Sequence, residues 1–176
     1  MALAKIIFQE FYHISPDFRP SDPDLANMLA QSDAALLIGD RALKFMEDHQ
    51  RPDAERQKPL LRLGAEPLQI FDLAERWRFL TGLPFVFAFW ALREGFKYPA
   101  ATDLLKASRD FGVANIPAIA ERYSEQLQIK KEFIQEYLEK NVHYYMDQSS
   151  LEALQLFYEK AASVGAIKSV RGLEFT

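Results

Sequence analysis

Gly39 and Asp40 are the residues whose types and positions point most directly to ligand chemistry. They close the apolar run Ala34–Ile38 and precede a segment with helical periodicity. Glycine lets a ligand approach the backbone closely, and a helix N-terminus attracts anions. Asp40 could contact a ligand, or it could simply cap the helix that follows. The sequence leaves both interpretations open.

A second candidate is the turn Thr81–Phe85, which leads from a predicted helix into an aromatic run. Period-2 alternation places Phe85, Phe87 and Phe89 on one face of this run and Trp90 on the other. One of these faces could line a pocket. A helix end followed by a strand of the hydrophobic core is the alternative explanation.

The sequence lacks the residues or motifs that several other kinds of chemistry require. The 176-residue chain has no cysteine, which excludes disulfides, thiol catalysis and Cys-ligated zinc or iron–sulfur clusters. The histidines, at 13, 49 and 143, have no second histidine or carboxylate at a metal-ligand spacing, so we predict no metal site. No Gly-x-Ser-x-Gly elbow, dinucleotide fingerprint or Walker loop is present.

The charge and the hydropathy of the sequence argue against nucleic acids and membranes as binding partners. The net charge is −4, and no run of basic residues exceeds two, so we predict no nucleic-acid binding. The longest apolar stretch, near Leu83–Leu92, contains Pro84 and is shorter than the ~20 residues that a bilayer requires. The opening residues do not follow the signal-peptide pattern. We therefore expect a soluble cytoplasmic protein of one domain, or of one domain with a helical extension.

The elements that position these residues form an α/β pattern. Ala34–Ile38 and Phe85–Leu92 are predicted strands of one sheet, because both are continuous apolar runs bounded by glycine or proline. Ile14–Pro20 is predicted as a short edge-like extended piece. Helical periodicity predicts helices elsewhere, with stops at Phe111-Gly112 and Gly165. These helices are Leu3–Phe11, a short one from about Leu25, Arg41–Glu47, Asp72–Leu80, Ala100–Asp110, Ile116–Gln126, Lys130–Lys140 and Ser149–Val164.

Two segments are similar to the signatures of a known family. They are Ser32–Leu43 and Asp72–Ala91, and they are followed by helices that end in Leu154–Ala162. In this order they resemble the chorismate dehydratases of the futalosine route of menaquinone biosynthesis, over nearly the whole chain. The resemblance implies a two-lobed, type II periplasmic-binding-protein-like α/β fold with a helical C-terminal half. Residues 1–92 would form most of the second, ligand-binding lobe, and residues 93–176 would be helices that pack on the first lobe.

The resemblance also implies a function. Family members are hydro-lyases that convert chorismate to 3-[(1-carboxyvinyl)oxy]benzoate without a metal or an organic cofactor. The substrate would lie between the lobes and contact Ile38, Gly39, Asp40, Pro84 and Phe85. No catalytic base is identified. A non-enzymatic solute-binding protein of the same fold and a helical interaction module are the alternatives.

Family members carry an N-terminal segment that has no counterpart in this sequence. That segment builds most of the first lobe's sheet, so the helices after Pro99 would lack the sheet that they cover. We expect self-association, a partner that supplies the missing lobe, or a rearranged helical core, because proteins with large exposed apolar surfaces are rarely monomeric. We also expect this chain alone to be an inefficient dehydratase.

Overall fold

Helices form nearly all of the regular structure in the computed structural model, which describes residues 1–50, 62–63, 66–93, 95–96, 100–170 and 172. The helices Ala2–Ile6 and Lys131–Glu136 continue directly as π-helical turns over Ile7–Phe11 and Tyr137–Asn141. The α-helices are α1 (Ala2–Ile6), α2 (Leu25–Gln31), α3 (Asp40–Gln50), α4 (Leu73–Thr81), α5 (Ala101–Ala114), α6 (Ile116–Leu127), α7 (Lys131–Glu136) and α8 (Gln148–Ser163). No helix in the described residues is both long and apolar enough to cross a bilayer.

The predicted α/β fold, a two-lobed periplasmic-binding-protein-like architecture, is wrong for this structure. The described residues contain one antiparallel pair of two-residue strands, β1 (Arg62–Leu63) and β2 (Glu66–Pro67). Ala34–Ile38 and Phe85–Leu92 are neither helix nor strand. A strand exists only when a neighbour lies about 4.8 Å away and shares its hydrogen bonds, and no described segment pairs with either run. The apolar pattern identified non-helical segments but not a partner for them.

The helix boundaries follow local signals. The Asp72 carboxylate caps α4 by accepting the N–H groups of Ala74 at 2.7 Å and Glu75 at 3.0 Å. Gly82 ends α4 in a left-handed conformation with φ +74°, and its N–H donates to the carbonyl of Arg78. The prediction of this helix is confirmed at both ends. The predicted helices at the N-terminus and after Pro99 are also present, with small differences in their ends.

The predicted stop at Gly112 is wrong, because α5 continues to Ala114. A glycine inside a helix costs only about 1 kcal/mol, so it does not end a helix by itself. The break falls instead at Asn115, and Pro117 lies in the first turn of α6. Proline has no N–H to donate to the preceding turn and therefore favours a helix start at this point.

The chain divides into two compact units, each built from discontinuous segments. The first unit comprises Met1–Phe18, Ile70–Leu105 and Tyr145–Thr176, and the second comprises Arg19–Gln69 and Lys106–Tyr144. Each unit has its own small hydrophobic core. The fully buried residues of the first core are Ile6, Trp77 and Ala161, from α1, α4 and α8. The buried residues of the second core are Ala120, Ile129 and Ile134, against which Leu43 of α3 packs.

Candidate functional site

Gly39 and Asp40 form the turn that begins α3 in the second unit. Gly39 has φ +63°, a left-handed conformation that strongly favours glycine. Its carbonyl accepts the N–H of Leu43 at 3.0 Å, so Gly39 holds the N-cap position and Asp40 is the first helical residue. A Cβ at position 39 would meet no atom within 4 Å, so the backbone conformation, and not crowding, accounts for the glycine.

The Asp40 carboxylate is exposed at this helix start. No hydrogen bond joins it to the described part of the chain, so it does not cap α3 in the way that Asp72 caps α4. Its negative charge still favours the helix through the macrodipole. The first N–H groups of a helix have no intrahelical acceptor, so this end offers backbone donors beside an accessible carboxylate. The preceding residue, Ile38, is 78% exposed.

Glu47 fixes the other end of α3 in the second unit. Its side chain is only 2% exposed, and one carboxylate oxygen accepts the backbone N–H of Lys130 at 2.8 Å. The other oxygen accepts the ammonium of Lys44 at 2.9 Å, and that ammonium also donates to the carbonyl of Gln128. Glu47 therefore ties α3 to the start of α7. Sequence reasoning missed this residue, because a glutamate on a helix is usually exposed.

Pro84 and Phe85 are held by Trp77 in the first unit. The Trp77 indole N–H donates to the Pro84 carbonyl at 3.0 Å. The Phe85 ring meets Trp77 and Phe157 edge to face, at centroid distances of 5.8 and 5.4 Å. Thr81 Oγ1 accepts the N–H of Leu83 at 3.2 Å, which fixes the turn that leads to Pro84. Trp77 is fully buried, and its hydrogen bond to Pro84 had no signal in the sequence.

The five predicted site residues thus form two local groups. Ile38, Gly39 and Asp40 are consecutive in the second unit, and Pro84 and Phe85 are consecutive in the first. The first group presents a carboxylate and backbone donors. The second group is half-buried, and Phe85 contributes mainly to packing.

An open depression of about 440 Å³ along α8 does not suit an anionic ligand. Its carboxylates, Glu152 and Glu159, accept the side-chain amides of Gln148 at 3.1 Å and Gln155 at 2.8 Å. The lining contains no cation to offset these two charges. Among the described residues, no group of three or more His, Asp or Glu side chains could hold a metal ion.

Comparison with known proteins supplies an independent line of evidence. A family model described as menaquinone biosynthesis matches residues 1–163, which include all five predicted site residues. A chorismate dehydratase from Thermus thermophilus is 29% identical to the chain over 160 residues. The aligned region covers 90% of this chain and 58% of that relative, so the chain spans less than two-thirds of the relative's length.

Proposed function

Because the chain belongs to the menaquinone biosynthesis family, we propose that it takes part in the dehydration of chorismate to 3-[(1-carboxyvinyl)oxy]benzoate. The observation that carries this proposal is the similarity to a chorismate dehydratase along most of the chain. The reaction is an elimination of water. A base removes a proton from the ring, the bond from the ring to the hydroxyl oxygen breaks, and the ring becomes aromatic.

The turn Ile38–Asp40 is the part of the chain that we propose contacts the polar groups of the substrate. Chorismate carries two carboxylates and a hydroxyl. A carboxylate is favoured at a helix N-terminus, where the first N–H groups of α3 lack intrahelical acceptors. The exposed Asp40 carboxylate can accept a hydrogen bond from the hydroxyl. We therefore propose Asp40 as a group that orients the hydroxyl and not as the base.

The turn Pro84-Phe85 is the part that we propose contacts the apolar surface of the substrate. The Pro84 carbonyl already accepts the Trp77 indole, so this oxygen has less capacity to bind a ligand. Phe85 is partly buried because it packs on Trp77 and Phe157, and part of its ring remains accessible. An aromatic ring in that position can stack on or meet the edge of an unsaturated ring.

We propose that the complete activity requires polypeptide beyond these 176 residues. The chain matches only part of the length of its relative. A dicarboxylate substrate needs several donors in fixed positions, and a misplacement of about 1 Å can reduce the rate on the order of 100-fold. The Asp40 turn and the Phe85 turn supply few such donors.

The test is to measure chorismate binding by calorimetry and turnover by chromatography on the same purified chain. We expect saturable binding of chorismate. Asp40→Ala should weaken this binding at least about tenfold, because the variant loses one charge-assisted hydrogen bond. Asp33→Ala is the matched control, because Asp33 is also exposed and lies seven residues earlier. Binding without product, even after addition of a partner that restores the relative's full length, would favour the solute-binding alternative. An absence of binding would refute the proposal.

A further inference from the structure

Lys44 lies one helical turn after Asp40 on α3 but does not pair with it. An acidic residue followed four positions later by a lysine is the favoured arrangement for an ion pair on a helix, because the two side chains are neighbours on its surface. No ion pair or hydrogen bond joins these two residues in the described part of the chain. The exposed Asp40 carboxylate is therefore not neutralised by the lysine that is best placed to do so.

The Lys44 ammonium is held instead by three other acceptors. It donates to a carboxylate oxygen of Glu47 at 2.9 Å and to the carbonyl of Gln128, and a carboxylate oxygen of Asp48 lies at 3.5 Å. An ammonium group has three N–H donors, so these contacts use its full capacity. Glu47 is the strongest competitor for Lys44, because its side chain is only 2% exposed and a buried charge without a partner is costly.

We propose that Glu47 withholds Lys44 from Asp40 and thereby keeps the Asp40 carboxylate available for the hydroxyl of the substrate. This inference rests on the proposed contact of Asp40 with chorismate. A lysine paired with Asp40 would neutralise the carboxylate and occupy part of its capacity as an acceptor. The hydrogen bond from the substrate hydroxyl would then lose part of the strength that an ionised acceptor gives it. Glu47 and Lys44 thus act on the substrate only through Asp40.

The substitution Glu47→Gln should release Lys44. The backbone N–H of Lys130, which one Glu47 oxygen accepts at 2.8 Å, retains the single oxygen of the amide. The amide nitrogen then faces the Lys44 ammonium, and two donors cannot bond to each other. Lys44 redistributes among its remaining acceptors, which include Asp40 one turn away. A general effect of charge predicts the opposite result for binding, because the loss of a negative charge favours a substrate with two carboxylates.

Calorimetric measurement of chorismate binding to a set of variants provides the first test. Glu47→Gln should weaken binding about threefold, less than Asp40→Ala, because Lys44 pairs with Asp40 only part of the time. Adding Lys44→Met to Glu47→Gln removes the competing cation, restores the net charge, and should return the dissociation constant to near the wild-type value. Glu139→Gln is the matched control, because it removes the same charge from an exposed carboxylate of the same unit and should not change binding. Circular dichroism verifies that the variants remain folded.

A double variant that binds as weakly as Glu47→Gln would overturn the proposal, as would tighter binding by Glu47→Gln. NMR on the ligand-free chain tests the ion pair separately from the proposed function. The chemical shift of the Asp40 carboxyl carbon should change in Glu47→Gln and return to the wild-type value in the double variant. An unchanged shift in Glu47→Gln would refute the withholding of Lys44. The expected shifts in a chain that does not bind chorismate would support this withholding and refute the contact of Asp40 with the substrate.

Discussion

Replacing Trp77 with phenylalanine should destabilise the first unit more than any conservative change at its surface. Trp77 is fully buried and packs edge to face against Phe85 and Phe157. Its indole N–H also donates to the Pro84 carbonyl at 3.0 Å. Trp77→Phe removes this donor and leaves the carbonyl unsatisfied, which costs about 1–3 kcal/mol, and the smaller ring leaves a void that costs about 1 kcal/mol more.

The comparison with Trp77→Ala separates the hydrogen bond from the packing. Truncation to alanine should cost about 3–5 kcal/mol, because the surrounding rings cannot fill the vacated volume. The measurement is the free energy of unfolding in urea, followed by far-ultraviolet circular dichroism. Phe79→Leu, at a 79% exposed position of the same helix, should change that free energy by no more than about 0.5 kcal/mol. If Trp77→Phe and Phe79→Leu have the same midpoint, the reasoning about this core is wrong.

Three further predictions concern stability. Glu47→Gln should cost about 1–3 kcal/mol in urea unfolding, because the buried carboxylate loses its charge opposite Lys44, whereas Glu139→Gln at the surface should be nearly neutral. Gly39→Ala should cost about 1–2 kcal/mol, because only glycine adopts φ +63° without strain, and Gly112→Ala inside α5 should instead stabilise the chain by about 0.5–1 kcal/mol. The hydroxyl and the N–H of Ser150 lower the pKa of Asp147 from 3.8 to about 2. The contribution of Asp147 to stability is therefore present above pH 3.8 and lost as the pH falls toward 2. A carboxyl titration midpoint near 3.8, followed by NMR, would contradict this assignment.

Helix positions could be predicted from the sequence because their causes lie within a few residues. Asp72 is followed two and three residues later by the N–H groups that it caps, and Gly82 supplies the left-handed residue that ends the same helix. Gly112 is a weak stop signal, because the cost of a glycine inside a helix is small. The stronger signal at that junction was Pro117, five residues further along the chain.

Sheet structure could not be predicted in this way, because a strand is a property of two segments. The runs Ala34–Ile38 and Phe85–Leu92 have the composition of buried strands, yet neither has a strand partner among the described residues. Glu47 was missed for a related reason. The N–H group that it accepts belongs to Lys130, 83 residues away, and the sequence contains no local sign of that pairing.

The helix start beside the candidate site could be predicted from the sequence. A glycine followed by an aspartate after an apolar run indicated a helix start, and the structure confirms this start at Asp40. The contact of Asp40 with a substrate remains a prediction. The contact of Pro84 and Phe85 with a substrate also remains a prediction, and in the structure Pro84 accepts the Trp77 indole N–H while Phe85 packs on Phe157.

The positions of Asp40 and Glu47 on one helix connect the candidate site with the buried charge of the second unit. Seven residues of helix separate them, a rise of about 10 Å. Between them, Leu43 packs against the core that contains Ala120. A helix held by both a core contact and a buried carboxylate has little freedom to rotate or slide, so the donors at its N-terminus keep a fixed direction. Such pre-organisation reduces the free-energy cost of binding a ligand. We therefore expect Glu47 to act as a positioning residue for Asp40, so Glu47→Gln should weaken chorismate binding under conditions in which the variant remains folded. If binding is unchanged while stability falls, Glu47 serves the fold alone.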